Sequence, residues 1–264
     1  MDATEVKEMV RARYGGIAAG TVADCCAPAS CCDPPDGMRA ASRSSQMGYS
    51  AEELAAVPEG ADLGLGCGNP QAIAAMKAGE VVVDLGSGAG FDCFLAARQL
   101  DGTGRVIGVD MTPAMVAKGR RNAQKGDYDN VEFRLGEIEA LPVADNSIDV
   151  VISNCVINLS PEKQRVFREA FRALRAGGRL AIADVVATRP LPKRFRTELN
   201  SVGCVGGAAL VDDLKTMLKK AGFVGVQIRP RDKTRSLIKQ WTENDTAGEF
   251  VASAFITAHK PLST

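Results

Sequence analysis

Eight cysteines and a single histidine among 264 residues set the chemistry open to this chain. Thiolates are soft ligands and strong nucleophiles, suited to metal, metalloid or redox work. His259 alone excludes a histidine-rich metal site and argues against Ser-His-Asp or Cys-His catalysis; it is expected simply to end the last strand. The cysteines occur as the pairs Cys25-Cys26 and Cys31-Cys32, and singly at 67, 93, 155 and 204. The C-C-x4-C-C spacing lacks the tandem C-x2-C of a zinc ribbon. Cys67 stands in G-L-G-C-G-N-P, where Asn69 and Pro70 are suited to start a helix running to about Lys77. The free N–H groups of such a helix would favour the Cys67 thiolate.

A second signature lies at Val81–Gly90, V-V-V-D-L-G-S-G-A-G. Its first half suits a buried parallel strand. Gly86, Gly88 and Gly90 then bring the backbone through a tight turn that a ligand can approach closely. Asp110 closes the next strand, R-V-I-G-V-D, where an acid can bind ribose hydroxyls. The G-x-G-x-G spacing departs from the G-x-G-x-x-G expected of a pyrophosphate site. It fits S-adenosylmethionine, which has a ribose and an adenine but no phosphate. Asp84, Gly86, Ser87, Gly88, Asp110 and Met111 are therefore the candidate cofactor residues on these two strands and turns.

Composition narrows the setting. The formal net charge is zero, so no general attraction to nucleic acid or an anionic membrane is expected. No apolar run reaches transmembrane length, and M-D-A-T-E-V-K-E does not read as a signal peptide. A cytoplasmic enzyme is expected, where structural disulfides are rare.

Strand and helix patterns alternate regularly from Glu80. Strands are expected near 81–85, 105–110, 131–135, 148–153, 178–185, 224–229 and 251–259, with helices near 91–100, 113–125, 161–174 and 211–221. This is βαβ arithmetic, predicting an α/β, Rossmann-like, mostly parallel sheet with helices on both faces. Before it, a helix is expected at about Thr4–Tyr14. The Gly-, Ala-, Ser- and Cys-rich stretch Gly15–Ser45 reads as a mobile loop. Ser50 is placed to cap a short helix. The expected division is 1–49 for the helix and loop, and 50–264 for the cofactor-binding domain, with about 186–264 as its C-terminal portion.

Ligands of such sheets sit at the carboxyl ends of the strands. Glu137 and Ile138 follow the third strand, within reach of an adenine. Asn154 and Cys155 follow the fourth, in S-N-C-V-I-N-L. Asp184 ends the fifth, and Cys204 lies in the next loop, G-C-V-G-G-A. Cys67 leads into the first strand. Three thiols therefore converge on the cofactor edge. Cys93, one turn into the helix after the glycine turn, reads as a core residue.

These motifs resemble the arsenite S-adenosylmethionine methyltransferases, from the glycine-flanked Cys67 to E-F-V-A-S-A-F near the C-terminus. D-L-G-S-G-A-G-F-D-C is shared with many methyltransferases; S-N-C-V-I-N-L and G-C-V-G-G-A are far more specific. The resemblance implies the seven-stranded class I methyltransferase sheet with its last strand antiparallel. It also implies that Cys67, Cys155 and Cys204 bind trivalent arsenic arriving as a thiol conjugate. A fourth cysteine of the N-terminal loop would take part in thiol–disulfide steps; Cys32 is the chosen position among Cys25, Cys26, Cys31 and Cys32. Thioredoxin or a small thiol would serve as reductant, and a monomer is expected. G-L-G-C-G departs from members with aromatics before the cysteine, since neither Leu65 nor Gly66 can stack on a ligand. Two other readings compete: a methyltransferase of a small organic acceptor such as a quinone, and a non-catalytic thiol protein that sequesters soft metals.

Overall fold

The computed structural model describes residues 2–22, 36–195, 203–239 and 246–262, with side chains from residue 40 onward in the second stretch. Along the chain come α1 (Ala3–Ala19), α2 (Asp36–Met47), α3 (Ala51–Ala55), α4 (Gln71–Ala74), β1 (Val81–Leu85), α5 (Phe91–Gln99), β2 (Arg105–Asp110), α6 (Pro113–Lys125) and β3 (Val131–Leu135). There follow β4 (Ile148–Asn154), α7 (Lys163–Ala173), β5 (Leu174–Ala187), α8 (Val211–Ala221), β6 (Val224–Pro230), α9 (Arg235–Lys239), α10 (Ala247–Phe250) and β7 (Val251–His259).

Seven strands form one sheet in the order β3-β2-β1-β4-β5-β7-β6. β1 through β5 run parallel, whereas β7 is antiparallel to both β5 and β6. The chain order reverses between β1 and β4, so the crevice beyond their carboxyl ends is the expected ligand site of such a sheet. Both faces are covered, as the period-2 alternation of a strand requires. Val83, Leu85, Val109, Val151 and Ile182 pack with Val166, Phe167 and Leu218 on one side. Val82, Val106, Val150 and Ile152 pack with Phe94, Ala97 and Val116 on the other. His259 ends β7, as expected.

The amino-terminal part departs from the sequence reading. α1 continues through Gly15 and Gly16 to Ala19, burying Val10 and Ile17, and stops at Gly20 with φ 71°. Residues 36–47 form α2, not part of a loop, and bury Ala40, Ser44 and Met47. Small side chains made these turns look coreless, yet they permit close packing. Cys25, Cys26, Cys31 and Cys32 lie outside the described residues. Ser50 caps α3 as expected, accepting a bond from Glu53 N at 3.2 Å. The helix after Cys67 is shorter than expected, since Ala75 turns left-handed at φ 47°. Asn69 does not cap it; its Nδ2 reaches Gly48 O at 3.3 Å.

Phe167 of α7 is fully buried against the central strands. Phe167→Ala should destabilise the fold by about 3–5 kcal/mol, through lost burial and a residual cavity. Chemical denaturation should show an earlier midpoint with the cofactor cleft residues unchanged in sequence.

Candidate active site

The glycine turn after β1 is held from β2. Gly86 N and Ser87 N both donate to Val109 O, at 2.8 and 3.0 Å. Gly88 N donates to Asp110 Oδ2 at 3.0 Å, and Thr112 N to Asp110 Oδ1 at 2.8 Å. Gly86 has φ 70°, and a Cβ there would collide with Val156. Gly88, at φ 53°, faces open space. The turn borders a cleft lined by Asp84, Gly86, Ser87, Gly88, Asp110, Met111, Ile138, Asn154 and Cys155. Ser87 Oγ is buried in it with no hydrogen-bond partner. A buried hydroxyl without a partner is costly unless a ligand supplies one.

The cleft is acidic. Burial, reinforced by the charges of Asp92 and Asp110, pushes the Asp84 carboxyl well above the usual carboxylate range. Burial also raises Asp92, against hydrogen bonds from Tyr49, Asn154 and Gln71. It raises Asp110 too, against the N–H groups of Thr112 and Gly88. Cys93 is fully buried and directs its thiol to Asp84 at 3.3 Å; burial and that carboxylate push the thiol up. It is a packing residue, as the sequence suggested.

Three cysteines meet around Cys155, which lines the cleft. Cys67 precedes α4, Cys155 follows β4 and Cys204 lies between β5 and α8. Their sulfurs and one Asp184 carboxylate oxygen all lie within 4.8 Å of one another. The Cys67 and Cys155 sulfurs are in direct contact, with Cα atoms 5.3 Å apart. Cys204 Sγ lies 2.6 Å from Cys155 Sγ. The three thiols placed together from the sequence are also together in space, and two of them are close enough to pair. Val185, Leu191, Phe195, Val205, Ile238 and Val251 surround the cluster with apolar surface. Cys155 is held at φ 60°, with its N–H bonded to Ala183 O at 2.9 Å. A non-glycine residue there costs roughly 1–3 kcal/mol, which surrounding contacts must offset. Burial raises the Asp184 carboxyl to about 7, although the N–H groups of Val185 and Asn158 oppose the shift.

Hydrogen bonds tie the cysteines to the cleft. Asn154 Oδ1 accepts Cys67 N at 2.9 Å. Its Nδ2 reaches Gly68 O at 2.9 Å, Tyr49 Oη at 2.9 Å and Asp92 Oδ2 at 3.0 Å. Tyr49 Oη donates to Asp92 Oδ1 at 2.7 Å, and its ring packs edge-on against Phe91 with centroids 4.7 Å apart. Ser253 Oγ of β7 donates to Cys67 O at 2.5 Å.

Most of the residues expected from sequence are thus brought together. Glu137 is not: its carboxylate is paired with Lys7 at 2.8 Å and Arg11 at 2.6 Å of α1, outside the cleft lining. It anchors the helix whose Val10 and Tyr14 cover the cleft. The carboxylate bonded to the glycine turn is that of Asp110. Sequence reading missed α1, Tyr49, Asp92 and Met115 in the cleft. Tyr49 and Phe91 line the same cleft as Leu65 and Gly66.

Sheet, glycine turn and acidic cleft define a class I S-adenosylmethionine-dependent methyltransferase. A methyltransferase-domain family model matches residues 76–222. The arsenite methyltransferase of Halobacterium salinarum is 55% identical over 98% of this chain and 68% of its own length. The human arsenite methyltransferase is 39% identical over 60% of this chain, which spans only 44% of that relative. The structure of an arsenic (III) S-adenosylmethionine methyltransferase from Chlamydomonas reinhardtii superposes with a TM-score of 0.61 at 32% identity, covering 87% of this chain and 75% of the other. The chain belongs to the arsenite methyltransferases. No helix among the described residues is long and apolar enough to cross a membrane.

S-adenosylmethionine is a net cation at neutral pH, and a cation beside a carboxyl favours its ionised form. A cofactor seated beside Asp84 and Asp92 would release protons that they hold, and its affinity should fall as pH drops through their raised values. Without ligand the sign reverses: the native state holds protons that the unfolded chain has lost, so these carboxyls cost stability as pH rises. Calorimetric titration of S-adenosylmethionine should show weaker binding at about pH 5 than at about pH 8, with proton release on the acid side.

Proposed function

We propose that Cys67, Cys155 and Cys204 together hold trivalent arsenic as the methyl acceptor of this enzyme. The observation that carries this reading is the meeting of three sulfurs, from three separate segments, around Cys155, which lines the cleft. Trivalent arsenic is soft and takes thiolates in preference to oxygen. Arriving as a thiol conjugate, it exchanges each ligand for a cysteine sulfur, and the cysteine's proton leaves with the departing thiol. Three sulfurs leave the arsenic lone pair on the open apex.

Bound S-adenosylmethionine supplies an electrophilic methyl group carried on a sulfonium sulfur. The orphaned Ser87 hydroxyl, the open face of Gly88, and Asp110 fit the cofactor's polar groups. Asp84 and Asp92 suit its positive charge. The attacking arsenic carries no proton, so no general base is required, which agrees with the near-absence of histidine. What the chain contributes is alignment in an apolar pocket; good orientation lowers a barrier by roughly 7–11 kcal/mol.

Methylation formally oxidises arsenic to the pentavalent state. Two thiolates return it to trivalent by giving up two electrons and closing a disulfide. Thioredoxin or a small thiol reopens that bond. Cys67 and Cys155 stand close enough to form such a pair. Cys32, the expected resolving thiol, lies outside the described residues. A reducing compartment such as the cytoplasm suits this cycle. A protein that only sequestered soft metals would have no use for the glycine turn and its unpartnered hydroxyl.

Arsenic speciation by chromatography tests the reading. Protein incubated with arsenite, S-adenosylmethionine and a thiol reductant should release methylated arsenic, and Cys155→Ser should release none. Equal product from both proteins would remove Cys155 from the site. Absence of product from the wild type, with the cofactor bound, would discard the arsenic reading.

A further inference from the structure

Three cysteines on irregular segments do not align themselves. Cys67 sits between Gly66 and Gly68, and Cys204 in V-G-C-V-G-G. Neither lies in a helix or strand. Backbone of this kind is held only by what it docks against, and both segments dock against the same turn, residues 154–158.

Asn154 grips the Cys67 segment on both sides, accepting Cys67 N and donating to Gly68 O, each at 2.9 Å. Asn158 grips the Cys204 segment: its Nδ2 reaches Cys204 O at 3.1 Å, Val185 O at 2.5 Å and Asp184 Oδ1 at 2.9 Å. Its own N–H reaches Asp184 Oδ2 at 3.3 Å. Asn158 is 4% exposed and does not line the cofactor cleft. Each seam also needs a glycine. A Cβ on Gly66 would lie 2.7 Å from Asn154 Nδ2, and one on Gly207 would collide with the Asn158 carbonyl.

We propose that Asn154 and Asn158 are positioning residues for the arsenic site: they flank Cys155 and latch Cys67 and Cys204, respectively, against it. One five-residue turn thus presents one sulfur and orders the other two. This rests on the arsenic reading and adds to it. An asparagine suits the role because one amide both donates and accepts. Such outer partners typically govern metal affinity by about 10–100-fold when removed.

The latch predicts a selectivity that general destabilisation does not. Arsenite has three positions for sulfur, whereas phenylarsenic(III) has two, the third being held by carbon. With Asn158→Ala, Cys204 should fall out of register while Cys67 and Cys155 stay paired. Arsenite affinity should then drop about 10–100-fold, and phenylarsenic(III) affinity should change little. Gly207→Ala, which pushes on the same seam from the other side, should reproduce this selectivity, as should Cys204→Ser. Asn154→Ala should do likewise by releasing Cys67.

The measurement is a titration of the reduced full-length protein with each arsenical, read from the near-ultraviolet thiolate-to-arsenic absorption. Wild-type affinity for both arsenicals in Asn158→Ala and Gly207→Ala would overturn the latch. Equal loss of both arsenicals would overturn it too, since that marks a merely structural role. Failure of the wild type to bind arsenite would instead overturn the arsenic reading on which the latch rests.

Discussion

The structure depends on bringing three sulfurs to one point from residues far apart in the chain. Cys67 and Cys155 are separated by 88 positions, and Cys155 and Cys204 by 49. Each long separation carries a loop-closure cost that the rest of the fold must offset. The sheet does most of this. β4 and β5 are neighbours, and Cys155 and Cys204 follow their carboxyl ends, whereas Cys67 lies before β1 and is docked by side-chain bonds. Cys155, in its left-handed conformation, is the fixed member; the other two are delivered to it by side-chain bonds.

The same edge builds the cofactor cleft, so acceptor and donor sites share residues. Asn154 is bonded at once to the Cys67 segment and to the Tyr49–Asp92 pair in the cleft. β7, inserted antiparallel between β5 and β6, closes the far side through Ser253, whose hydroxyl holds Cys67 O. A cleft with buried carboxyls thus abuts an apolar cluster that holds the three cysteines. The sulfur side is mostly sulfur and aliphatic carbon, with Asp184 the one carboxyl among the three cysteines.

Much of this was legible in the sequence. The strands from Val81 onward were readable because buried parallel strands leave continuous β-branched runs, and their bounds agree within a few residues. The exception is β5, which starts at Leu174, four residues before Gly178. The thiol convergence followed from placing Cys155 and Cys204 at carboxyl ends of strands. Less legible were the features that depend on long-range docking. α2 is built from small polar residues that look like loop until its buried face is seen. Glu137 carries no local sign that Lys7 and Arg11, some 130 residues away, will claim its carboxylate. Tyr49 lines the same cleft as Leu65 and Gly66, a placement visible only in space. Asn158 stood in plain view within S-N-C-V-I-N-L, but only the fold shows that its amide faces Cys204.

The central claim is that three cysteine sulfurs together bind one arsenic atom. X-ray absorption at the arsenic edge, on the reduced protein loaded with one equivalent of arsenite, tests it most directly. The expected spectrum has three sulfur neighbours and no oxygen, falling to two sulfurs and one oxygen in Cys204→Ser. Two sulfurs and an oxygen in the wild-type protein would contradict the account.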